Sequence, residues 1–270
     1  MEHNRKHLMN ISDSNPVLVM REGGMVTLAL NRPAAMNALD LPTASAFLAA
    51  CRSLEDDPEV RVVVIRGEGR AFGVGGDLAA LQQDPLATAH ALIGDLHEAV
   101  LLLASLNAPV IASLHGVVAG GSLSLSMACD LAIAAEGTRF NLAYANVAVN
   151  CDVSGSWSLP RLVGLRNAMQ IALLSDTFDA AEALRLGLVN RVVPLEKLKE
   201  ETLALAQRLA AGPTLAYGRM KRLLRQSLET DLPTQLDAER ENFKASTQTQ
   251  DFKEAVDAFF AKRPAVFKGK

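Results

Sequence analysis

Residues 109–135 read PVIASLHGVVAGGSLSLSMACDLAIAA and decide the fold of the chain. The stretch begins with an apolar, β-branched segment that is typical of a buried strand. Gly116, Gly120 and Gly121 interrupt this pattern, small residues that can start a helix follow, and residues 131–135 indicate another short buried strand. A strand, a glycine turn and a helix N-terminus leave backbone N–H groups unpaired, where a partial negative charge could lie. The same pattern also suits a turn that only packs a helix onto a sheet.

A second glycine cluster lies upstream, at Ala71–Leu78 (AFGVGGDL), and it has the same character. Two backbone-donor turns from distant parts of the chain could converge on one oxygen atom, and that arrangement is an oxyanion hole. We expect Ala71 and Leu78, at the two ends of the cluster, to contact the group that is bound there.

Composition excludes several classes of protein. Of the 270 residues 49% are apolar, so the chain can bury a large core without disulfides. A net charge of −3 and an aromatic content of 4% disfavour nucleic-acid binding. Three cysteines without a C-x-x-C pair, no signal peptide and no apolar run of membrane-spanning length predict a cytoplasmic protein without membrane contact. The five histidines lack metal-binding spacing, so we expect neither a metal nor a cofactor.

Pattern changes divide the chain into three parts. Residues 1–15 are polar and predict a flexible N-terminus. Residues 16–194 alternate strand and helix patterns, beginning with a hairpin around a glycine turn. Residues 195–270 carry helix patterns only. No G-x-S-x-G elbow, Walker A loop or G-x-G-x-x-G after a first strand occurs, which disfavours nucleophile-elbow hydrolases and these nucleotide-binding folds.

The paired glycine turns resemble the crotonase (enoyl-CoA hydratase/isomerase) superfamily. Further stretches that match this family are VRVVVIRGEGRAFGVGGDL at 60–78, NRP at 31–33 with NAL at 37–39, LPRLVG at 159–164, residues 180–193, and FFAKRP at 259–264. The resemblance covers residues 17–268. It implies an α/β fold, a spiral of β-β-α turns with a C-terminal helical trimerisation region. It also implies a homotrimer or dimer of trimers and an acyl-CoA thioester as substrate.

Carried over residue by residue, the family's oxyanion hole falls on the backbone N–H groups of Gly76 and Gly121. Removing a proton next to a thioester carbonyl, or adding a nucleophile to it, moves negative charge onto the carbonyl oxygen. Two fixed donors, one of them at a helix N-terminus, stabilise that charge by about 3 kcal/mol each.

The family's hydratases use two glutamates to handle one water, and this chain has Ser124 and Tyr144 at those positions. Neither side chain is a carboxylate base at neutral pH, which disfavours a hydratase of that kind. We expect Ser124 and Tyr144 to line the pocket or to position a water.

Asp152 falls where some isomerases of the family keep their base. The flanking residues 156–164 (SWSLPRLVG) and the C-terminal sequence are most similar to the isomerase branch that includes ring-1,2-epoxyphenylacetyl-CoA isomerase. One carboxylate suits a double-bond shift, because it takes a proton from one carbon and returns it to another. Burial beside Val153, Trp157 and Tyr144 is expected to raise its pKa. The residue alone equally suits a turn or a helix N-terminus.

Two other functions stay open. In the 4-chlorobenzoyl-CoA dehalogenase branch an aspartate at position 152 is the nucleophile and a histidine at position 97 activates water, and this chain has Asp152 and His97 there. Tyr144, however, stands where that branch keeps a tryptophan. Because both glutamates are missing, the chain could also be an acyl-CoA-binding protein without catalytic activity.

For the CoA moiety, the resemblance places Phe243 and Lys262 near the adenine and the phosphates. Arg32 is a candidate phosphate contact, although a surface arginine without such a role is also consistent with the sequence. The apolar residues between Leu78 and Leu96 are expected to form the wall of the acyl pocket, and some of them ordinary helix core.

Overall fold

A six-stranded sheet lies at the centre of the structure, a computed structural model that describes residues 15–270. Residues 1–14 of the predicted flexible N-terminus lie outside the described residues. The strands of the described part are β1 (Val17–Glu22), β2 (Met25–Leu30), β3 (Val62–Gly67), β4 (Val110–Leu114), β5 (Val117–Ala119), β6 (Leu131–Ala135), β7 (Arg139–Asn141), β8 (Phe178–Asp179) and β9 (Arg191–Val193). The sheet order is β1-β2-β3-β4-β6-β9, and only the β1–β2 hairpin pair is antiparallel.

The helices of the described part alternate with the strands up to β9, singly or in pairs, and the last four follow one another without a strand between them. They are α1 (Leu41–Glu55), α2 (Leu78–Gln83), α3 (Pro85–Ser105), α4 (Gly120–Ala128), α5 (Gly155–Val163), α6 (Leu165–Leu174), α7 (Ala180–Leu186), α8 (Leu198–Ala210), α9 (Thr214–Gln226), α10 (Leu232–Thr247) and α11 (Gln250–Phe260). Aspartates begin five of them: the side chains of Asp40, Asp77, Asp84, Asp179 and Asp231 accept hydrogen bonds from the first turns of α1, α2, α3, α7 and α10.

A second, smaller sheet explains why the chain forms a spiral. It consists of β5, β7 and β8, and single bridges extend it from Val118 to Gly73 and from Gly76 to Leu39. Most turns of the chain therefore contribute one strand to the large sheet, a shorter extended segment to the small sheet, and then a helix. The predicted α/β spiral of β-β-α turns is confirmed.

The short strands β5, β7 and β8 escaped the sequence analysis. Each has two or three residues, which is too short for an alternation of apolar and polar side chains to be visible. Their positions follow instead from the pairing of successive turns, as in the register of Val118 with Phe140.

The main core lies between the two sheets, α1 and α3. Phe47 of α1, Phe72 and Phe140 are almost completely buried there, and the ring of Phe140 stacks on that of Phe178 at 5.6 Å between centroids. Large aromatic side chains fix the distance between the layers, since their burial removes a large apolar area from water.

Helix α3 is long and apolar enough, by length and composition alone, to cross a membrane, with a mean hydropathy of 1.3. The sequence analysis did not anticipate this. Leu92, Leu96, Ala99 and Leu103 are buried at helical spacing along one face of α3, which packs into the core. A helix with one buried face of this kind is part of the folded body.

The C-terminal helices are attached to the large sheet by α8 and α9. Ala206 of α8 packs against Val62, Val64 and Ile111 on the sheet face opposite the main core. The following α9 is held by an ion pair of 2.7 Å between Lys221 Nζ and Asp130 Oδ2, at the end of α4. Large apolar side chains on α10 and α11 remain exposed, among them Leu236, Phe243, Phe252, Phe259 and Phe260.

Candidate active site

The two glycine turns meet in the structure. Gly75 has a φ of +92°, and a Cβ atom there would lie 3.1 Å from the amide nitrogen of Gly121 and 3.2 Å from the carbonyl oxygen of Ala119. A side chain at position 75 would therefore force the turns apart. The amide of Gly75 also donates a hydrogen bond of 3.1 Å to Ser122 Oγ at the start of α4, so the two turns are linked directly.

The amides of Gly76 and Gly121 donate to no acceptor among the described residues. Around Gly76, Leu39 pairs with both neighbours: its amide donates to the Gly75 carbonyl at 2.8 Å, and its carbonyl accepts the Asp77 amide at 2.9 Å. Gly121 lies in the first turn of α4, where amides have no partner within the helix. Both predicted donors are therefore free to bind an external oxygen.

Arg32 fixes the turn that carries Gly76. Its guanidinium lies 3.1 Å from carboxylate oxygens of both Asp40 and Asp77 and donates to the Ala38 carbonyl at 2.6 Å. Our expectation of a phosphate contact is therefore not supported, because these groups already occupy the guanidinium. The arginine instead joins the start of α1 to the residue after Gly76.

Asn37 completes this arrangement, and the sequence analysis missed it. The side chain is 1% exposed. Its Oδ1 accepts the Arg32 amide at 2.9 Å, while its Nδ2 donates to the carbonyls of Glu68 and Ala71. Ala71 is buried, and its backbone oxygen is engaged in this way. The NRP and NAL stretches contain this arginine and this asparagine. Both side chains form hydrogen bonds within the turn and do not point into solvent as surface groups.

Asp152 lies beside the second glycine turn. A Cβ atom on Gly121 would be 3.5 Å from Asp152 Oδ1 and 3.7 Å from the hydroxyl of Tyr144. The Tyr144 hydroxyl donates to Asp152 Oδ1 and is itself 3.0 Å from Ser124 Oγ. The hydroxyls of Ser124 and Tyr144 thus form a chain that ends on one oxygen of the aspartate. Asp152 Oδ2 has no hydrogen bond to the residues that the structure describes.

Burial raises the pKa of Asp152, while the hydrogen bond from Tyr144 opposes that rise. Burial also raises the pKa of Tyr144, and the negative charge of Asp152 adds to this effect. The phenol therefore keeps its proton at neutral pH and acts as a donor. The result is a partly buried carboxylate with a raised pKa, held by a neutral hydroxyl, which suits a proton acceptor.

The backbone after Asp152 adopts an unusual conformation. Val153 and Ser154 have φ values of 48° and 68°, and the left-handed region is unfavourable for a β-branched valine. Val153 is fully buried, and its amide donates a hydrogen bond of 3.2 Å to His97 Nε2 on α3. Helix α5 then begins at Gly155, where a Cβ atom would overlap Ser124 Oγ. The close approach of α4 and α5 thus depends on this glycine.

A largely apolar cavity of about 360 Å³ adjoins this cluster. Its lining residues are Tyr144, Ala145, Val149, Asn150, Cys151, Ser156, Ala172 and Leu173. Burial, followed by the charge of Asp152, raises the pKa of the Cys151 thiol, so this side chain is protonated and unreactive at neutral pH.

Four predicted substrate contacts lie away from this cluster or at its edge. Trp157 is 40% exposed, its indole donates to Glu229 at 3.1 Å, and Arg161 stacks on it at 4.0 Å. Our expectation that Trp157 buries Asp152 is therefore wrong, because the indole faces α9 and the following loop. Leu78 is 56% exposed at the start of α2. Phe243 and Lys262 are exposed in the C-terminal helical region, and within the described part of the chain no hydrogen bond joins either side chain to the Asp152 cluster.

Comparison with known proteins gives consistent matches. The family model described as enoyl-CoA hydratase/isomerase matches residues 20–270. The chain is 35% identical to 1,2-epoxyphenylacetyl-CoA isomerase of Escherichia coli over 92% of its own length and 97% of that protein. It is 34% identical to crotonyl-CoA hydratase of Syntrophomonas wolfei over 93% and 97%. The crystal structure of an enoyl-CoA hydratase from Polaromonas sp. JS666 superposes with a TM-score of 0.88, at 31% identity over 93% of this chain and 99% of that one.

Proposed function

The chain belongs to the enoyl-CoA hydratase/isomerase family, and on that premise we propose that it shifts a double bond in an enoyl thioester of coenzyme A. One observation carries the proposal. The carboxylate of Asp152 lies against Gly121, and the hydroxyl groups of Ser124 and Tyr144 lie beside it. The resemblance to the family implies that its hydratases have glutamates at these two positions. A single carboxylate suits proton transfer between two carbons better than the handling of a water by two acids.

In the proposed reaction the thioester oxygen accepts hydrogen bonds from the amides of Gly76 and Gly121. Asp152 removes a proton from C2 of a 3-enoyl thioester, and the C–H electrons form a dienolate whose charge lies on the thioester oxygen. The same carboxyl group then returns the proton to C4, and the double bond moves from C3–C4 to C2–C3. Atoms and electrons balance without an oxidant or a co-reactant. Each amide is expected to stabilise the dienolate by about 3 kcal/mol.

The surroundings of Asp152 support a role in which it first accepts a proton as the carboxylate and then returns it as the neutral acid. Tyr144 stabilises the ionised carboxylate, and burial favours the neutral acid. Because the net effect raises the pKa of Asp152, the carboxyl group is easier to protonate than an exposed aspartate, which favours return of the proton after its removal. Asp152 Oδ2, which is unpaired among the described residues, is available to the substrate.

The dehalogenase alternative receives less support from the geometry. A histidine that activates water needs a ring nitrogen with an unused lone pair. The lone pair of His97 Nε2 already accepts the amide of Val153, and Nδ1 of the neutral ring then carries the proton. The test below also distinguishes two further alternatives, a hydratase and an acyl-CoA-binding protein without activity. The hydratase is included because a similar protein carries the name crotonyl-CoA hydratase.

We extend the proposal to assembly and CoA binding. The exposed phenylalanines of α10 and α11 leave an apolar surface that suits association into a homotrimer or a dimer of trimers. Phe243 and Lys262, exposed in the same region, would then contact the CoA adenine and phosphates across or near a subunit boundary. Light scattering after size-exclusion chromatography measures the mass of the assembly, and a monomer would contradict this part of the proposal.

The function is tested by incubating the purified protein with 3-enoyl-CoA thioesters and following the ultraviolet absorbance of the conjugated product. We expect conjugation, with no chloride release from haloaroyl-CoA and little hydration of crotonyl-CoA. Rapid hydration without isomerisation would identify a hydratase. Tight CoA-thioester binding without turnover of any substrate would identify a binding protein, and either result would overturn the proposal.

A further inference from the structure

His97 has one contact that the proposed proton transfer does not explain. Its Nε2 accepts a hydrogen bond of 3.2 Å from the amide of Val153, which is 56 residues away in the sequence. An amide N–H can only donate, so Nε2 is the acceptor and a neutral ring carries its proton on Nδ1. The histidine lies on α3, where it is exposed. The hydrogen bond therefore connects that helix to the backbone immediately after Asp152.

The conformation of that backbone requires external support. Two consecutive residues other than glycine, Val153 and Ser154, have positive φ values, and such conformations persist only where the surroundings determine them. On one side of the pair, Gly155 donates to the Asp152 carbonyl at 2.8 Å, and Ser154 Oγ lies 3.0 Å from Ser158 Oγ. These bonds are local to the turn and to α5. His97 supplies a hydrogen bond from a different element.

We propose that His97 is a positioning residue for Asp152. By accepting the Val153 amide it holds the left-handed turn in the conformation that directs the Asp152 carboxyl group to Gly121. This inference rests on the proposed function, because it assigns His97 to the same carboxyl group. It gives His97 a role through hydrogen-bond acceptance, and it requires no activation of water.

The experiment compares variants that keep and remove the acceptor. His97→Leu preserves much of the volume but has no acceptor, whereas the side-chain oxygen of His97→Gln can accept the Val153 amide. His90 lies two turns earlier on α3, is exposed and makes no hydrogen bond with the described residues, so His90→Leu is the matched control. We expect kcat for isomerisation to fall about tenfold to a hundredfold in His97→Leu with little change in KM, because a small misplacement of a catalytic group has effects of this size.

His97→Gln should recover most of the lost activity, and His90→Leu should behave as the wild type. Equal kcat in His97→Leu and the wild type would overturn the proposal. So would equal losses in the leucine and glutamine variants, because the acceptor would then be irrelevant.

A second measurement does not depend on activity. Hydrogen exchange of the Val153 amide, observed by NMR after selective labelling of valine with ¹⁵N, should be faster in His97→Leu than in the wild type and be slowed again in His97→Gln. If the wild type isomerises no thioester but the exchange follows this order, the proposed function fails and the positioning contact stands. If exchange of Val153 is the same in all variants, the contact does not hold the turn and the inference fails, whatever the activity.

Discussion

The amide of Gly75 donates a hydrogen bond of 3.1 Å to Ser122 Oγ, and this bond links the two turns that present the amides of Gly76 and Gly121. Residues 47 positions apart in the sequence thus share one buried contact. Ser122 is fully buried, so the bond is shielded from water. The distance between the two proposed oxyanion donors depends on it.

Ser122→Ala should therefore lower both stability and catalysis. It leaves the Gly75 amide unpaired in a buried site, which costs about 1–3 kcal/mol of the free energy of unfolding. We expect kcat/KM for the thioester to fall by about tenfold or more, since a displaced oxyanion donor loses part of its contribution. Urea denaturation and steady-state kinetics measure the two effects. Ser126→Ala on the same helix is the control, because Ser126 Oγ only bonds the Leu123 carbonyl of its own helix.

Asp152→Asn should abolish most of the isomerase activity and preserve the fold. The amide keeps the shape of the side chain but cannot accept a proton, and general-base catalysis contributes about 10²–10⁴-fold to the rate. Thioester binding, measured by calorimetry, should change little, because in the proposed reaction backbone amides hold the thioester oxygen. An asparagine variant with full activity would exclude Asp152 as the proton acceptor. Exchange of the C2 proton with deuterated solvent, lost in the same variant, provides a separate measurement.

Much of the site was predictable because several of its residues belong to short, local sequence patterns. The glycine turns and Asp152 stand out in the sequence by composition and by resemblance to the family. Contacts between distant segments could not be predicted in the same way. The bond of Ser122 to Gly75 and that of His97 to Val153 depend on where the spiral brings successive turns together.

Trp157 and Arg32 are residues whose contacts were predicted from the sequence and differ in the structure. Trp157 is five residues after Asp152, and proximity in sequence suggested a shared pocket. Helix α5 begins between them, however, and turns the indole toward Glu229. Arg32 belongs to a recognisable stretch, but only the fold shows that Asp40 and Asp77 surround its guanidinium. A sequence motif can identify an important residue, but the role of that residue depends on the groups that contact it in the folded protein.

The buried ion pair of Asp130 with Lys221 should control the attachment of α9. Their side chains are 14% and 9% exposed, and Lys221 Nζ also donates to the carbonyls of Leu103 and Ala108. Asp130→Asn leaves a buried ammonium group without its counter-charge, and we expect the free energy of unfolding to fall by about 3–5 kcal/mol.

Asp130→Asn also breaks the 2.9 Å ion pair of Arg225 with Asp130 Oδ1. Lys221→Met in that background removes the more deeply buried of the two unpaired charges and should recover part of the loss. Urea denaturation of the two variants decides the point. A double variant less stable than Asp130→Asn would show that the ammonium group stabilises the protein through the two carbonyls alone.

Tyr144→Phe should move the acidic limb of the pH–rate profile to higher pH. In the proposed reaction the proton acceptor is the carboxylate form of Asp152, so we expect activity to fall as the pH decreases through the pKa of Asp152. Burial raises that pKa, and the hydrogen bond from Tyr144 lowers it. Removing the hydroxyl removes a lowering contribution, and the pKa rises further. In a plot of the logarithm of kcat/KM against pH, the acidic limb of the variant should therefore lie at a higher pH than that of the wild type. The wild-type limb should itself lie at a higher pH than the pKa of an exposed aspartate.

The same shift has a defined sign for stability. A carboxyl group whose pKa is raised in the folded state favours folding most when it is protonated, and it loses that contribution as the pH rises through the folded pKa. Tyr144→Phe should therefore lose more stability at neutral pH, where Asp152 is charged and lacks its donor, than at a pH below the folded pKa. Ser124→Ala is the matched control, since it removes the hydroxyl that contacts Tyr144 and leaves the donor to Asp152 in place. An unchanged limb in Tyr144→Phe would mean that the phenol does not donate to the ionised carboxylate during catalysis.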